Sequence, residues 1–229
     1  MVDSECDVQE ILNSSEVFQQ LPKAALKELL VAARIERYEQ RTLLVEKGQR
    51  PDHFRFILQG SIELISSTLD GRFTALPILS GSWASWLACF NASPLQYEVW
   101  AAKSTQCLAL PRQLVCSAVS GSPDALLKVI DHIGETVRLL IAWTLGATVH
   151  SPEKRMGHLL LILSGAVGPS MKPAKHTAIT QEQIGHIGFG SRQRVARLLR
   201  ELEAKGLIEM RYGAVSVPSC ERLSAFVFE

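Results

Sequence analysis

The sequence predicts an α+β chain in which an antiparallel β jelly roll precedes one long helix and a C-terminal winged helix-turn-helix. Short β-rich runs punctuated by glycine recur between residues 35 and 110. Apolar residues recur at alternating steps of four and three between residues 123 and 149. Helix caps, a glycine break and two further β-rich runs then follow in order between residues 179 and 217. We therefore expect a barrel of residues 1–120, a helix of residues 121–149 and a winged domain of residues 150–229.

The composition indicates two domains of unequal charge. With 229 residues and 47% hydrophobic content, the chain is long enough for two buried cores. The net charge of +1 hides an asymmetry, because residues 151–229 hold 11 Lys and Arg against 7 Asp and Glu, whereas residues 1–150 hold 13 against 16. A basic C-terminal part is what a polyanionic partner requires.

The cysteines and the apolar runs indicate a cytoplasmic protein that has no membrane partner. The five cysteines are scattered at positions 6, 89, 107, 116 and 220 and form neither a CxxC pair nor a disulfide framework. The first residues lack the basic and apolar regions of a signal peptide. The most apolar helical run, residues 137–149, is interrupted by Arg138 and is too short to span a bilayer.

The N-terminal part reads as a helical lead-in followed by strands. Residues 8–33 have helical spacing, and from Ile35 the period changes to that of short strands. Gly48, Gly60 and Gly71 separate the runs. The predicted strands are Ile35–Tyr38, Leu43–Val45, Phe54–Leu58, Ile62–Ile65, Tyr97–Ala102 and Cys107–Leu110.

The long helix is predicted to pair with a second copy of itself. Ser122 is an N-cap, Pro123 suits the first helical position and Asp124 adds a first-turn acid. A period of 3.5 residues is typical of a coiled-coil seam, and the alternative is a helix packed only against its own barrel. The predicted interface residues are Leu126, Ile130, Ile133, Val137, Leu140 and Thr144.

The first helix of the helix-turn-helix is predicted from a capping box. In this box the Thr180 hydroxyl accepts from the first turn and the Gln183 side chain reaches back. Residues 188–190, Gly-Phe-Gly, then break the helix, and Ser191 is an N-cap for a second one.

The second helix is predicted to have an apolar stripe and a basic face. Gly206 ends it as a left-handed cap, and two strands, Leu207–Met210 and Ala214–Val217, form a wing around Arg211–Gly213. Residues 150–153 restart a helix after the long one and are the expected hinge, and residues 220–227 are expected to form a terminal helix. The stripe consists of Val195, Leu198, Leu199 and Leu202.

The basic face of this second helix is suited to the major groove of DNA. A guanidinium matches the two acceptors of guanine and an amide matches adenine, so Arg192, Gln193 and Arg197 are the predicted base readers. Arg194 and Arg200 lie further round the helix and are predicted phosphate contacts. The alternative is an ordinary solvated basic face. Thr180 and Ser191, which begin the two helices, complete the predicted DNA-contacting set.

This order of residues resembles the cyclic-AMP receptor and fumarate-nitrate regulator (CRP/FNR) superfamily of bacterial transcription factors. The resemblance implies a homodimeric, non-enzymatic regulator that binds a pseudo-palindromic duplex with two recognition helices about one turn apart and that contacts RNA polymerase. Gln193 stands where the family has an acidic residue that accepts from cytosine, and this replacement favours adenine. Phe189 stands where the turn commonly has glycine. The matched residues are Ile179, Thr180, Ile184, Gly185, Ile187, Ser191, Arg192, Val195, Arg197, Leu202, Glu203, Leu207 and Ile208.

The barrel resembles the sensor domain of the same family at Gly48, residues 56–60 and Gly81. Relatives that bind cyclic nucleotides hold the ribose and phosphate with a carboxylate, an arginine and a serine. By this resemblance Trp86, Gln96 and Tyr97 occupy those three positions, and Leu140–Ile141 replaces the hydroxyl pair that meets the purine. Because a phosphate without partners is costly to desolvate, cyclic AMP is not expected to bind.

The effector is therefore left open by the sequence. An aromatic cluster could form a pocket for a flat organic molecule, or it could simply fill a core. Haem is an alternative, with His53 and His132 as conceivable axial ligands, and an effector-independent regulator is another. An iron–sulfur cluster is not expected because Cys6 stands alone, and a cupin-like metal enzyme is disfavoured because the sequence has no His-x-His pair. The candidate pocket residues are Trp83, Trp86, Leu87, Gln96, Tyr97, Leu140 and Ile141.

Overall fold

The computed structural model describes residues 5–68, 73–91, 93–165, 176–177, 179–211 and 214–229. The chain divides into two compact units. The first comprises residues 1–68 and 77–134, and the second comprises residues 69–76 and 135–229. The division falls inside one continuous helix, α5 (Pro123–Val149).

The N-terminal lead-in is helical, as predicted. It consists of α1 (Glu5–Ser14), a 3₁₀ turn at Phe18–Gln20 and α2 (Lys23–Ala32). Phe18 and Leu29 are fully buried, which anchors the lead-in to the core of the first unit.

Among the described residues of the N-terminal part, seven strands form two antiparallel sheets, which confirms the predicted jelly roll. One sheet has the order β1-β7-β3 and the other has the order β2-β6-β4-β5. Ile57, Ile62 and Cys107 form a buried cluster between strands of the two sheets. The strands are β1 (Arg34–Tyr38), β2 (Thr42–Val45), β3 (His53–Gln59), β4 (Ser61–Ser67), β5 (Phe73–Leu79), β6 (Glu98–Ala101) and β7 (Thr105–Pro111).

Strand β5 was not predicted, and neither were α3 (Trp86–Phe90) and α4 (Arg112–Ser120). Strand β5 contains Pro77, and a proline within a run argues against a central strand. In the structure β5 occupies the edge of its sheet, where a missing backbone N–H is tolerated.

The second unit contains the winged helix-turn-helix that the sequence predicts. Its elements after α5 are α6 (Pro152–Leu163), β8 (His176–Thr177), α7 (Gln181–Ile184), a wide turn at Gly185–Phe189, α8 (Arg192–Ala204), β9 (Glu209–Arg211), β10 (Ala214–Ser216) and α9 (Cys220–Phe228). Strand β10 is central in a three-stranded sheet of order β8-β10-β9, and β8 was not expected.

The strands of the wing are shorter than predicted. Leu207 and Ile208 precede β9 and are both buried. Side chains of a strand alternate between its two faces, so a strand with one exposed face buries only every second residue. The consecutive burial of Leu207 and Ile208 does not fit that pattern. Residues 212–213, which belong to the predicted turn of the wing, and residues 166–175 lie outside the described part of the chain.

The core of the second unit packs α6 against α8 and α9. Residues 156–161 of α6 are all buried, together with the predicted stripe of α8. A side chain at Gly157 would meet Val227 of α9 at 2.9 Å, so glycine allows these two helices to approach closely. Within the described residues, none of the helices combines the length and the apolar character needed to cross a membrane.

Candidate functional site

The helix-turn-helix begins with the predicted capping box. The Thr180 Oγ1 atom accepts from the backbone N–H of Gln183 at 3.2 Å, and the Thr180 N–H donates to Gln183 Oε1 at 3.0 Å. Together they satisfy two backbone donors that the start of a helix otherwise leaves unpaired. The start of α7 is thus fixed by its own sequence.

The turn between α7 and α8 depends on glycine. Gly188 has a φ of +96°, in the left-handed region that favours glycine. A Cβ on Gly185 would lie 2.7 Å from the backbone oxygen of Gly190, so only glycine fits there without movement. These two positions set the angle at which α8 leaves the turn.

Phe189, the residue that departs from the family turn, is a core residue. Its side chain is buried, and its ring lies 6.3 Å from that of Trp143. The Arg155 guanidinium lies 5.5 Å from the Phe189 ring and 5.8 Å from the Trp143 ring, within the range of a cation–π contact. The phenyl group therefore anchors the turn to the core between two flexible glycines.

Helix α8 presents a basic face because its opposite face is buried. Ser191 caps it, with the Ser191 Oγ atom accepting from the backbone N–H of Arg194 at 3.4 Å. The four residues of the apolar stripe are all buried, so their spacing turns the remaining positions outward. The residues predicted to contact DNA from α8 are all exposed, namely Arg192, Gln193, Arg194, Arg197 and Arg200.

The arginines of this face are available to a ligand. Arg197 Nε lies 3.8 Å from Glu201 Oε1, and both side chains are exposed, so this pair is weak and easily exchanged. Arg200 Nε donates to the backbone oxygen of Ala196 at 3.2 Å, one turn earlier in the same helix. The Arg200 side chain thus lies back along α8 towards its N-terminal half.

The two predicted hydroxyl contacts differ in their freedom. The Thr180 hydroxyl lies 3.2 Å from Gln183 Oε1 and donates to it, so contact with a phosphate oxygen requires this bond to exchange. The bond that Ser191 accepts from Arg194 uses a lone pair and leaves the hydroxyl hydrogen to donate. Ser191 is therefore the better placed of the two for a phosphate.

A buried histidine lies beside the expected hinge. His158 of α6 is almost fully buried, and the Trp143, His150 and Phe228 rings lie 5.6, 6.4 and 5.2 Å from its own ring. Burial lowers the pKa of His158, and the neighbouring His150 lowers it further. His158 is thus held neutral at neutral pH.

We expect acid to destabilise the second unit through His158. The unfolded chain takes up a proton on this histidine near pH 6.5, whereas the folded chain resists protonation, so stability is present above that pH and is lost as the pH falls below it. One such group contributes at most about 1.4 kcal/mol per pH unit. Urea denaturation at pH 7.5 and 5.5 should show this loss, and His158→Gln should reduce it. An equal loss in the variant would assign the effect to other groups.

Helix α5 carries an exposed apolar stripe. Leu140 and Ile141 are 51% and 54% exposed, and the hydroxyl of Thr144 bonds to the backbone oxygen of Leu140. Of the predicted interface residues, Leu126, Ile130, Val137, Leu140 and Thr144 are exposed and Ile133 is half-buried. Leu127, Leu145 and Val149 extend the exposed apolar set.

The aromatic residues of the first unit fill a core. The Trp83 ring stacks on Phe54 at 4.9 Å with an interplanar angle of 9° and meets the edge of Phe18 at 5.0 Å. Trp86 contacts the same two phenylalanines, at 4.4 Å from Phe54 and 5.6 Å from Phe18. Trp100 instead lies under the Arg41 guanidinium, at 4.4 Å. Of the two interpretations of the cluster, this packing supports the filled core.

A small cavity of the barrel lies beside this aromatic core, with Phe54 on its lining. Its free volume is about 40 Å³, enough for a few water molecules but far below the roughly 300–1,000 Å³ of ordinary ligand pockets. Of the predicted pocket residues only Tyr97 lines it, since Trp83 and Trp86 belong to the aromatic core and Leu87 and Gln96 are exposed. The lining is mostly aliphatic and includes Leu44, Ile62, Leu64, Ile78, Leu95 and Val99.

One buried cation on the cavity lining was not predicted. The Arg55 side chain is only 9% exposed, and its Nε atom donates to Glu36 Oε2 at 2.7 Å. The Tyr38 hydroxyl donates to the same oxygen at 2.6 Å. Burial would raise the pKa of Glu36, but the hydrogen bond and charge of Arg55 outweigh it and hold that pKa below its usual value. A single arginine within the apolar run of β3 was the signal in the sequence.

The histidines considered for haem have other contacts. His53 lines the cavity, and its Nδ1 atom lies 2.9 Å from Asp52 Oδ1. The His132 ring stacks on Trp86, at 6.1 Å and 21°. Among the described residues, no group of three or more His, Cys, Asp or Glu side chains is arranged to hold a metal ion.

Two family models match the chain. Residues 35–119 match the cyclic nucleotide-binding domain, and residues 154–226 match the Crp-like helix-turn-helix domain. These matches cover the jelly roll and the winged domain in the order in which the structure has them. The chain belongs to the CRP/FNR superfamily.

Several CRP/FNR proteins resemble the chain over most of its length. The cAMP-activated global transcriptional regulator Vfr of Pseudomonas aeruginosa is 23% identical over 203 residues, which cover 81% of this chain and 90% of Vfr. The regulator CRP of Salmonella typhimurium is 21% identical over 178 residues, which cover 76% of this chain and 84% of CRP. The structure of FixK2 from Bradyrhizobium japonicum superposes with a TM-score of 0.68 at 15% identity, over 84% of this chain and 96% of FixK2. The FixK2 match establishes the fold alone.

Within this CRP/FNR fold, the three residues at the expected nucleotide-contact positions have different surroundings. Trp86 is buried among aromatic rings, Gln96 is exposed with its Nε2 atom 3.5 Å from the backbone oxygen of Pro94, and Tyr97 lines the cavity. Burial raises the pKa of Tyr97. The three side chains therefore offer no shared charged site for a phosphate.

Proposed function

We propose that this protein is a homodimeric regulator of transcription that binds a specific double-stranded DNA sequence. The proposal rests on the exposed face of α8. The apolar stripe of this helix is buried, Ser191 caps its start, and four arginines and one glutamine are exposed on its other side. Arg192, Gln193 and Arg197 read bases, and Arg194 and Arg200 contact phosphates. Thr180 and Ser191 hold the backbone of the DNA at the starts of their helices.

The exposed stripe of α5 supports the dimer. Contiguous apolar surface on a soluble protein marks an interaction site, and a 3.5-residue period fits a second copy of the same helix. Pairing along α5 places two recognition helices about one DNA turn apart, which calls for a pseudo-palindromic operator. We assign residues 1–120 to a sensor domain, residues 121–149 to the dimerisation helix and residues 150–229 to the DNA-binding domain. RNA polymerase is the further partner that we propose for a regulator of this kind.

Selection from a random duplex library tests this function. The full-length chain should enrich two-fold symmetric sites, and sedimentation of the complex should give two chains per duplex. A symmetric site should bind far more tightly than its isolated half. Failure to enrich any site at low salt, or a complex of one chain per duplex, would contradict the proposal.

We further propose that the sensor domain has lost the cyclic-nucleotide contacts. The cation on the cavity lining, Arg55, is already paired with Glu36, so little net positive charge remains for a phosphate. The small aliphatic cavity suits an apolar molecule, which can enter only if the lining moves apart.

Cyclic AMP should therefore produce no binding heat with this protein. In calorimetric titration up to about 1 mM, we expect no saturable signal, since a phosphate without partners costs several kcal/mol to bury. Vfr of Pseudomonas aeruginosa, whose name describes it as cAMP-activated, provides the matched positive control. Saturation in the micromolar range would show that the pocket holds the nucleotide by other contacts.

A further inference from the structure

Two cysteines of the first unit lie within reach of each other. Cys89 of α3 and Cys116 of α4 have their Sγ atoms 4.0 Å apart. The Cys116 thiol also donates to the backbone oxygen of Cys89 at 3.3 Å. The same oxygen accepts from Arg112 Nε at 2.7 Å, which ties the start of α4 to α3. The two sulfurs are thus held together by the packing of the helices, although they are 27 residues apart in the sequence.

The two thiols differ in their exposure. Cys89 is 2% exposed and lines the barrel cavity, whereas Cys116 is only half-buried. Burial raises the pKa of the Cys89 thiol, and the neighbouring Cys116 raises it further. Cys116 is therefore the thiol that meets a small oxidant first, and Cys89 is the second thiol behind it.

We propose that Cys89 and Cys116 form an oxidation-sensitive dithiol that closes to an intramolecular disulfide when the protein meets hydrogen peroxide. A disulfide requires its sulfurs to lie about 2.05 Å apart, so each must move by about 1 Å, a displacement that side-chain rotation can supply. This site shares no residue with the predicted DNA-contacting set, and it goes beyond the function proposed above.

The chemistry proceeds in two steps. The Cys116 thiol first gives its proton to solvent. Its thiolate attacks one oxygen of the peroxide, the S–O bond forms as the O–O bond breaks, and the departing hydroxide takes a proton back from solvent to become water. The Cys89 sulfur then attacks the Cys116 sulfenic acid, the S–S bond forms as the S–O bond breaks, and the Cys89 proton leaves with the oxygen as the second water. Two electrons pass from the two sulfurs to the two peroxide oxygens, so no other reactant is needed.

Disulfide formation would alter the wall of the cavity. Helix α3 is a single short turn that carries Trp86 in the aromatic core and Ala88 and Cys89 on the cavity lining. Tightening the link to α4 holds α3 in one position. The expected consequence is a change in tryptophan fluorescence that a dithiol reductant reverses.

Peptide mapping of the full-length protein tests the proposal. Reduced protein is treated with about one equivalent of hydrogen peroxide, its free thiols are blocked with N-ethylmaleimide in denaturant, and it is digested with trypsin. Because trypsin cleaves after Lys and Arg, Cys89 and Cys116 fall on the separate peptides 73–103 and 113–128, and the other three cysteines fall on three further peptides. We expect a peptide pair linked through Cys89 and Cys116 that disappears on reduction.

Substitutions distinguish this pair from adventitious oxidation. Cys116→Ser should abolish the linked pair and the reversible fluorescence change, and Cys89→Ser should do the same. Cys107→Ser is the matched control, since Cys107 is equally buried and burial raises its pKa to about 12, yet it should leave the linked pair unchanged. Three results would overturn the proposal. Both thiols remain free, Cys116 links to a cysteine other than Cys89 of the same chain, or Cys116 is converted to the sulfinic acid without a disulfide.

Discussion

Replacing Arg197 with alanine should weaken binding to the selected operator by about 1–3 kcal/mol and relax the preference at one base pair. The exposed guanidinium presents two parallel donors, which match the two acceptors of guanine in the major groove. Its existing partner, Glu201, is a partly exposed residue one turn away, so little is lost when the pair opens. Titration of operators that differ at single positions measures the effect.

Arg194→Ala is the matched control for Arg197→Ala. Both side chains are exposed on α8, but Arg194 is assigned to a phosphate. Its loss should weaken binding to all sequences alike and reduce the salt dependence by about one counterion. If Arg197→Ala behaves in this second way, Arg197 is a phosphate contact and does not read a base.

Replacing Phe189 with alanine should destabilise the DNA-binding unit by about 3–5 kcal/mol, the usual cost of emptying a buried phenyl site. The ring is buried against Trp143 and lies near the Arg155 guanidinium, so its removal leaves a cavity beside a cation. The turn that places α8 loses its anchor at the same time, so DNA affinity should fall with stability. Urea denaturation followed by circular dichroism measures the change.

Phe228→Ala provides the comparison for Phe189→Ala. Its ring is 51% exposed at the end of α9, so the same change in composition removes far less buried surface. We expect a loss of no more than about 1 kcal/mol. Equal losses in the two variants would mean that Phe189 does not anchor the turn.

The sequence predicted the DNA-binding unit well because its signals are local. The capping box at Thr180, the N-cap at Ser191 and the left-handed Gly206 each act within a few residues, and all three are present in the structure. The buried stripe of α8 follows from helical spacing alone, and it fixes which arginines are exposed. The wing strands were predicted too long because the burial of Leu207 and Ile208 depends on distant residues of the core.

The sensor domain was predicted less well because its contacts are distant in sequence. Trp83 and Trp86 looked like pocket residues because they stand close to other aromatic residues along the chain, yet their partner Phe18 lies in the lead-in. Arg55 and Glu36 meet only because β3 and β1 flank β7. The pairing of Cys89 with Cys116 likewise requires the packing of α3 on α4, which no local pattern encodes.

The tightness of the barrel interior affects how quickly this protein could respond to an organic signal. A space of about 40 Å³ cannot receive such a molecule until side chains such as Leu44 and Ile78 separate, so opening must precede entry. At high ligand concentration the observed association rate should then level off at the rate of opening. Once the signal is abundant, the barrel would act as a gate whose delay is set by the protein itself.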